Sequence, residues 1–374
     1  MLEPSDSYRR TLAALDPLAD SLAAAFAELP AGRGRVLLDT ALNSGIDAVA
    51  APPQALIDLF ARLDDVPLWV DWDRVERGGQ VLLRSGLLGI AVLNLYSIPL
   101  MYSSAAGVKP LVFTGHLLRR APRRLAETAR FVVSTCRPGG LRRFADGFKI
   151  TVKVRLMHAQ VRRLLWQSGR WQSEWGEPIN QMYMAGTNVT LSVILIDGLR
   201  RFGFRISHDE AEAILHLWRY SGYLSGVDPQ LLCSTEAEGW QLFNLIRTSE
   251  GPPDADSKAL LDAVMGASYL PQLDKVAWRA AAGYGLSRAL IGHDLADALG
   301  FPKSSGWHWA LRTGYPVVAF GDLLQRAIPG GRAWATNFGM RTWETIIDQI
   351  LAGGRAEFHA PAQLDNQPGR EGPP

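Results

Sequence analysis

Residues 148–166 read FKITVKVRLMHAQVRRLLW, and the rest of the chain is best read outward from them. At 100° per residue Ile150, Val154, Met157, Val161 and Leu164 recur at the spacing of a buried helical stripe. His158 sits at the edge of that stripe, with Val154, Val161 and Leu165 to one side and Arg155 and Arg162 to the other. One imidazole between an apolar wall and two guanidinium groups suits a flat apolar ligand with acidic groups along one edge. Haem is such a ligand, because its iron takes a histidine nitrogen, its porphyrin wants apolar walls and its propionates want arginines. The competing reading is structural: a lone histidine beside an apolar stripe also serves as a satisfied boundary residue.

At 374 residues the chain can bury a substantial core. Its 47% hydrophobic and 20% charged content is that of an ordinary globular protein, and a net charge of +2 gives no sign of a polyanionic partner. Arginines do cluster at Arg119, Arg120, Arg123 and Arg124 and at Arg142 and Arg143, but clusters of this size are usually solvated helix faces, so nucleic acid is not expected. Cys136 and Cys233 are the whole cysteine complement, which argues against structural zinc or a disulfide framework and for a reducing compartment. The first twenty residues mix charges with short apolar runs and lack the pattern of a signal peptide, so a cytoplasmic address is expected. The apolar segment 87–101, LLGIAVLNLYSIPLM, is too short to span a bilayer and contains Asn94 and Pro99. It reads as a core helix or the lining of an apolar pocket.

Helical signals fill the chain. Asp71 is placed to cap a short helix stopped by Gly78 and Gly79, and Pro122 to open one that runs to about Thr135 before Pro138, Gly139 and Gly140. Residues 179–200 read as one long apolar central helix, and Ser207 with Glu210 has the form of a capping box, as has Thr235 with Glu238. Neither alternating strands nor a βαβ rhythm occurs. The expectation is all-α, with one large helical domain over residues 1–360 and a low-complexity, disordered tail from Pro361 to Pro374. Glycine-rich nucleotide loops, the G-x-S-x-G elbow and H-E-x-x-H are all missing.

Arg124 and Thr128 project at i and i+4 from the helix that precedes the histidine helix. Taken together, RLAET at 124–128, VRLMHAQVR at 154–162 and WRYSGYLSG at 218–226 resemble the catalytic domain of the rubber oxygenases, or latex clearing proteins, and of the related oxygenase of the mycophenolic-acid pathway. The segment 66–79 is similar to that family's entry region, and the resemblance covers about residues 50–245 with a weaker tail to 320. It implies a globin-like helical core holding haem b, with His158 as iron ligand, Arg155 and Arg162 on the propionates, and Arg124 and Thr128 at the haem site. Implied with these is an oxygenase that uses O2 on an apolar, alkene-bearing, isoprenoid-like small molecule and cleaves its double bond to carbonyl products. The rival reading is a haem-binding sensor or carrier without turnover.

Two departures from the family pattern matter. Glu127 stands where the best-known members carry a lysine that can reach the iron, which makes it a candidate distal acid or base, or else the partner in a helical ion pair with Arg123 or Arg130. No Asp or Glu occurs between Arg84 and Arg124, where the family has a proposed base. Both departures leave haem binding intact and turn the expectation from polymer towards small alkenes.

Overall fold

The computed structural model describes residues 4–266, 276–303, 306–352, 354, 356–358, 360, 361, 363 and 364. Every regular element among them is helical. In chain order these are α1 (Pro4–Leu12), α2 (Pro17–Ala27), α3 (Arg33–Ser44), α4 (Gln54–Asp64), α5 (Trp72–Arg84), α6 (Leu87–Val92), α7 (Ile98–Tyr102), α8 (Lys109–Thr114), α9 (His116–Cys136) and α10 (Asp146–Gln167). The second half contains α11 (Gln181–Leu191), α12 (Val193–Arg201), α13 (His208–Leu224), α14 (Glu236–Ser249), α15 (Ala255–Gly266), α16 (Val276–Ile291), α17 (His293–Ala298), α18 (Trp307–Ala327) and α19 (Gly331–Leu351).

Several helix boundaries follow the local chemistry read from the sequence. Asp71 Oδ1 accepts from the backbone N–H groups of Asp73 and Arg74 at 3.0 and 3.2 Å and starts α5. Ser207 and Glu210 exchange side-chain and backbone hydrogen bonds at the start of α13. Glu210 then does a second job, because its carboxylate, though buried, meets Arg84 of α5 at 3.2 Å and Arg326 of α18 at 2.8 Å. A buried carboxylate of this kind is tolerated only because it is paired, and the pairing pins three helices together.

Other boundaries differ from the sequence reading. Gly78 and Gly79 do not stop α5, which runs on to Arg84. A Cβ on Gly78 would lie less than 3.0 Å from the Ala213 carbonyl, and one on Gly79 less than 3.0 Å from that of Cys136. The two glycines therefore let α5 touch the backbones of α13 and α9, a packing role that local turn rules cannot see. Cys136, one of two free thiols, is buried at that contact, and burial pushes its pKa up. Pro122 lies within α9 rather than in its first turn, the helix beginning at His116. The apolar stretch 179–200 is two helices, α11 and α12, because Ser192 takes φ −113° and ψ −87°. By length and apolarity Gln181–Arg201 could cross a membrane, as could α5 joined to Leu87–Tyr102 across an 87° bend, but most of the Gln181–Arg201 window lies inside the core.

The expected pocket-lining segment forms α6 and α7, joined by a π-helical turn over Leu93–Ser97. Pro99 has no N–H to give to the preceding turn, and a wider turn upstream of it is a usual accommodation. Most of the tail expected to be disordered lies outside the described residues, but its beginning is packed, with Leu364 against the cluster of Phe113, Val161 and Leu165.

Gly79→Ala should lower stability by about 1–3 kcal/mol through overpacking against the Cys136 carbonyl, seen as a lower urea midpoint at an unchanged slope. Gly251→Ala, with nothing within 4 Å of the added carbon, should stay within about 0.5 kcal/mol of the parent.

Candidate active site

Helix α10 is buried over most of its circumference, and its sides have different surroundings. Val154, Met157, His158 and Val161 line a cavity of about 400 Å³. Its other walls come from the 87–102 segment, α9, α11, α13, α14 and α19, through residues such as Ile98, Met101, Phe131, Trp218 and Trp343. Three of the five residues read as a core stripe, Val154, Met157 and Val161, therefore line the cavity, although Val161 and Met157 also pack with Phe113 and Leu165.

His158 has no hydrogen-bond or ion-pair partner among the described residues, and its Nδ1 is buried. Burial is the first cause of a pKa held down at about 4; the positive charges of Arg162 and Arg124 add to it and Asp16 partly offsets it. The ring is thus a neutral imidazole at physiological pH, the form that ligates metals. An unpartnered buried nitrogen is costly unless a ligand uses it.

The two arginines flanking His158 in sequence are engaged elsewhere. Arg155 forms a two-pronged pair with Asp16, Nε to Oδ2 at 2.6 Å and Nη2 to Oδ1 at 2.7 Å. Arg162 gives Nε to Asp20 at 2.8 Å and Nη1 to the Ile179 carbonyl at 2.6 Å. Seven residues apart, they share one side of α10 and point at α2, and neither lines the cavity. The structure does not bring them to a ligand edge beside His158. Their partners lie about 140 positions upstream in sequence, and Gly226, at φ +85°, leaves the space that the Asp16–Arg155 pair occupies. No local signal marks Asp16 as the partner of Arg155.

Arg124, Glu127 and Thr128 do line the cavity with His158. Glu127 is buried, lines the cavity and is paired with Arg123 at 3.3 Å, as the ion-pair reading expects, and with Arg124 at 2.9 Å, whereas Arg130 pairs with Asp348. Thr128 donates its hydroxyl proton to the Arg124 carbonyl at 3.0 Å. Tyr102, on the same walls, is buried, and its pKa is pushed up to about 12.

Sequence reasoning missed Glu250. It lines the same cavity, accepts from Ser104 Oγ at 2.7 Å and is hydrogen-bonded by Tyr8. Burial raises its pKa to about 7, against the lowering effect of those two hydrogen bonds. Tyr183 joins the group through Ser104, which also accepts from the Gly107 N–H at 3.0 Å.

The two groups give the folded protein opposite pH dependences. His158 binds its proton more weakly folded than unfolded, so its contribution is present above pH 6.5 and is lost as pH falls towards about 4, amounting to about 3 kcal/mol. Glu250 binds its proton more tightly folded, so its contribution is present below pH 4.5 and is lost as pH rises through about 7. Denaturant titrations from pH 4 to 8 should show the acid-side loss vanish in His158→Phe and the alkaline-side loss vanish in Glu250→Gln. Asp16→Ala, which strands Arg155 in the core, should cost about 3–5 kcal/mol in the same assay. A much smaller loss would show that Arg155 has another anion to bind.

Known proteins resemble this chain over most of its length. A rubber oxygenase of Streptomyces sp. (strain K30) is 27% identical over 296 residues, which cover 76% of this chain and 69% of that protein. The fold matches a solved structure of latex clearing protein in the closed state with a TM-score of 0.72 at 22% identity, covering 96% of this chain and 95% of the other. The family model for the catalytic domain of ER-bound oxygenase mpaB/B′ and rubber oxygenase matches residues 79–320, a span that holds α9, α10 and most of the cavity wall. With that span covering well over half of its length, the chain belongs to the ER-bound oxygenase mpaB/B′ and rubber oxygenase family.

Proposed function

We propose that this protein is a haem b-dependent oxygenase that uses O2 to cleave the double bond of an apolar, isoprenoid-like alkene into two carbonyl products. The observation that carries the proposal is His158, a neutral imidazole without a hydrogen-bond partner on the wall of an apolar cavity. Its chemistry would let it hold haem iron, and the lining would suit a porphyrin or a hydrocarbon. Haem, when bound, would supply the iron that activates O2.

The roles proposed for the protein's own residues follow from their bonds. The apolar walls exclude water, which strengthens each remaining electrostatic interaction. Arg124 keeps a positive charge beside the cavity, with Glu127 fixing one end of its guanidinium. It is the donor we assign to negative charge developing on oxygen. Thr128 has already committed its one proton to a backbone carbonyl, so its share is the smaller. Glu250 stands in for the carboxyl that the sequence lacks between Arg84 and Arg124; titrating near neutrality, it can take or return a proton at its carboxylate. The countercharge for haem propionates would come from the other cavity-lining cation, Arg247, since Arg155 and Arg162 are engaged with carboxylates.

For the substrate we favour a small isoprenoid alkene over the polymer named for the Streptomyces relative. Two free cysteines are consistent with a reducing, cytoplasmic address, where no extracellular polymer would be met.

Purified protein should show a Soret band that shifts with dithionite, and His158→Ala should lose the bound haem. Arg124→Ala should keep the cofactor while lowering O2 uptake on soluble isoprenoid alkenes by on the order of 10²-fold, with Thr128→Val falling less. Carbonyl products would be followed by mass spectrometry, with polyisoprene run in parallel. A carrier would show no separation between cofactor content and O2 uptake. Full haem retention in His158→Ala would remove the basis of the proposal.

A further inference from the structure

The α18–α19 hairpin carries a surface that the cavity chemistry does not use. Nine of the sixteen large hydrophobic residues exposed on the described chain lie between Trp309 and Phe338. Phe320 is 61% exposed, Trp334 64% and Phe338 60%. On α18, Trp309, Pro316, Phe320, Leu323 and Leu324 recur at helical spacing along one outward side. On α19, Trp334 stacks on Phe338 with ring centroids 5.3 Å apart, and Arg341 follows on the same side. A surface of this extent on a globular protein marks an interaction site.

Its charge selects the occupant. Arg312 and Arg341 are exposed on the hairpin, as is Arg332, which reaches Glu210 at 3.9 Å, whereas the sole carboxylate between Gly306 and Arg341 is Asp322, which is buried and paired with Arg326 at 2.8 Å. A second copy of the chain packed face to face would oppose arginine to arginine, since the exposed carboxylate on that side of α19, Asp348, is already paired with Arg130. A surface that accepts aromatic side chains and answers arginines is an anionic lipid headgroup layer. The tail beyond Leu364, DNQPGREGPP, is too polar to cover such a face. We infer that the outer face of the α18–α19 hairpin docks this protein on an anionic lipid surface, as a peripheral contact that does not cross the bilayer.

The docking face also has a geometric relation to the cavity. Trp343, Ile346, Ile347 and Ile350 of α19 form part of the cavity wall, on the side of the helix opposite Trp334, Phe338 and Arg341. One helix thus has the apolar chamber on one side and the proposed lipid surface on the other. The inference does not depend on which reaction the cavity performs.

The test is flotation of the full chain with vesicles of phosphatidylcholine alone and of phosphatidylcholine mixed with phosphatidylglycerol. Flotation with the mixed vesicles, weakened by added salt, is expected. Phe320→Ser with Trp334→Ser should lower the bound fraction by about tenfold, and Arg312→Gln with Arg341→Gln should lower it on the anionic vesicles only. Circular dichroism of each variant checks that the hairpin remains folded, and the arginine pair, being fully on the surface, keeps the test usable if the apolar pair destabilises the chain. Failure to float with either vesicle overturns the inference, and equal binding to both with no effect of the arginine pair overturns the anionic assignment. A dimer by light scattering that the Phe320 and Trp334 changes dissolve, without flotation, would make a second copy the occupant instead.

Discussion

Two guanidinium–carboxylate pairs beneath His158 set the position of the whole site. Arg155 and Arg162 are buried on α10, and a buried arginine without an anion would cost several kcal/mol. Asp16 and Asp20 supply those anions from either side of the start of α2, so the N-terminal helices are locked under the histidine helix. With that side of α10 fixed, the adjoining side, carrying Val154, His158 and Val161, is turned into the cavity. The same arginines contribute to the electrostatics of the ring above, since Arg162 is among the charges that keep His158 neutral. The pairs thus act on both placement and protonation state without touching the cavity.

The cavity gathers residues from distant parts of the chain. The π-helical turn at Leu93–Ser97, the small residues of α11 and α13, and the inner side of α19 meet around a space whose polar groups are few. Arg124 with Glu127 makes one polar point and Glu250 with Ser104 another. Catalysis in an apolar enclosure needs its charges fixed in advance, because no water is at hand to reorganise around them. Each carboxylate that lines the cavity is tied down by at least one strong hydrogen bond or ion pair.

The fold class, the central position of α10 and the grouping of His158, Arg124 and Thr128 around one cavity were legible in the sequence, because helical periodicity and the RLAET and VRLMHAQVR stretches are local patterns. Caps at Asp71 and Ser207 were legible for the same reason. What the sequence hid was non-local. Gly78 and Gly79 look like a helix stop until the carbonyls of Ala213 and Cys136 are seen against them. Arg155 and Arg162 look free to bind a ligand until Asp16 and Asp20 are found beside them. Glu250, at the end of α14 just before a proline-rich loop, has no local mark of function; its raised pKa comes only from burial among Tyr8, Ser104 and Tyr183.

The close contact between α5 and α9 has a consequence for durability. A protein proposed to handle dioxygen exposes its own sulfur to oxidation, and thiolate, not thiol, is the vulnerable form. Cys136 is sealed at the Gly79 contact with 1% exposure and its pKa raised, and half-buried Cys233 is pushed up to about 11. Both sulfurs therefore stay protonated at neutral pH, and the packing that lets two backbones meet also shields Cys136 from reactive oxygen leaking from the site.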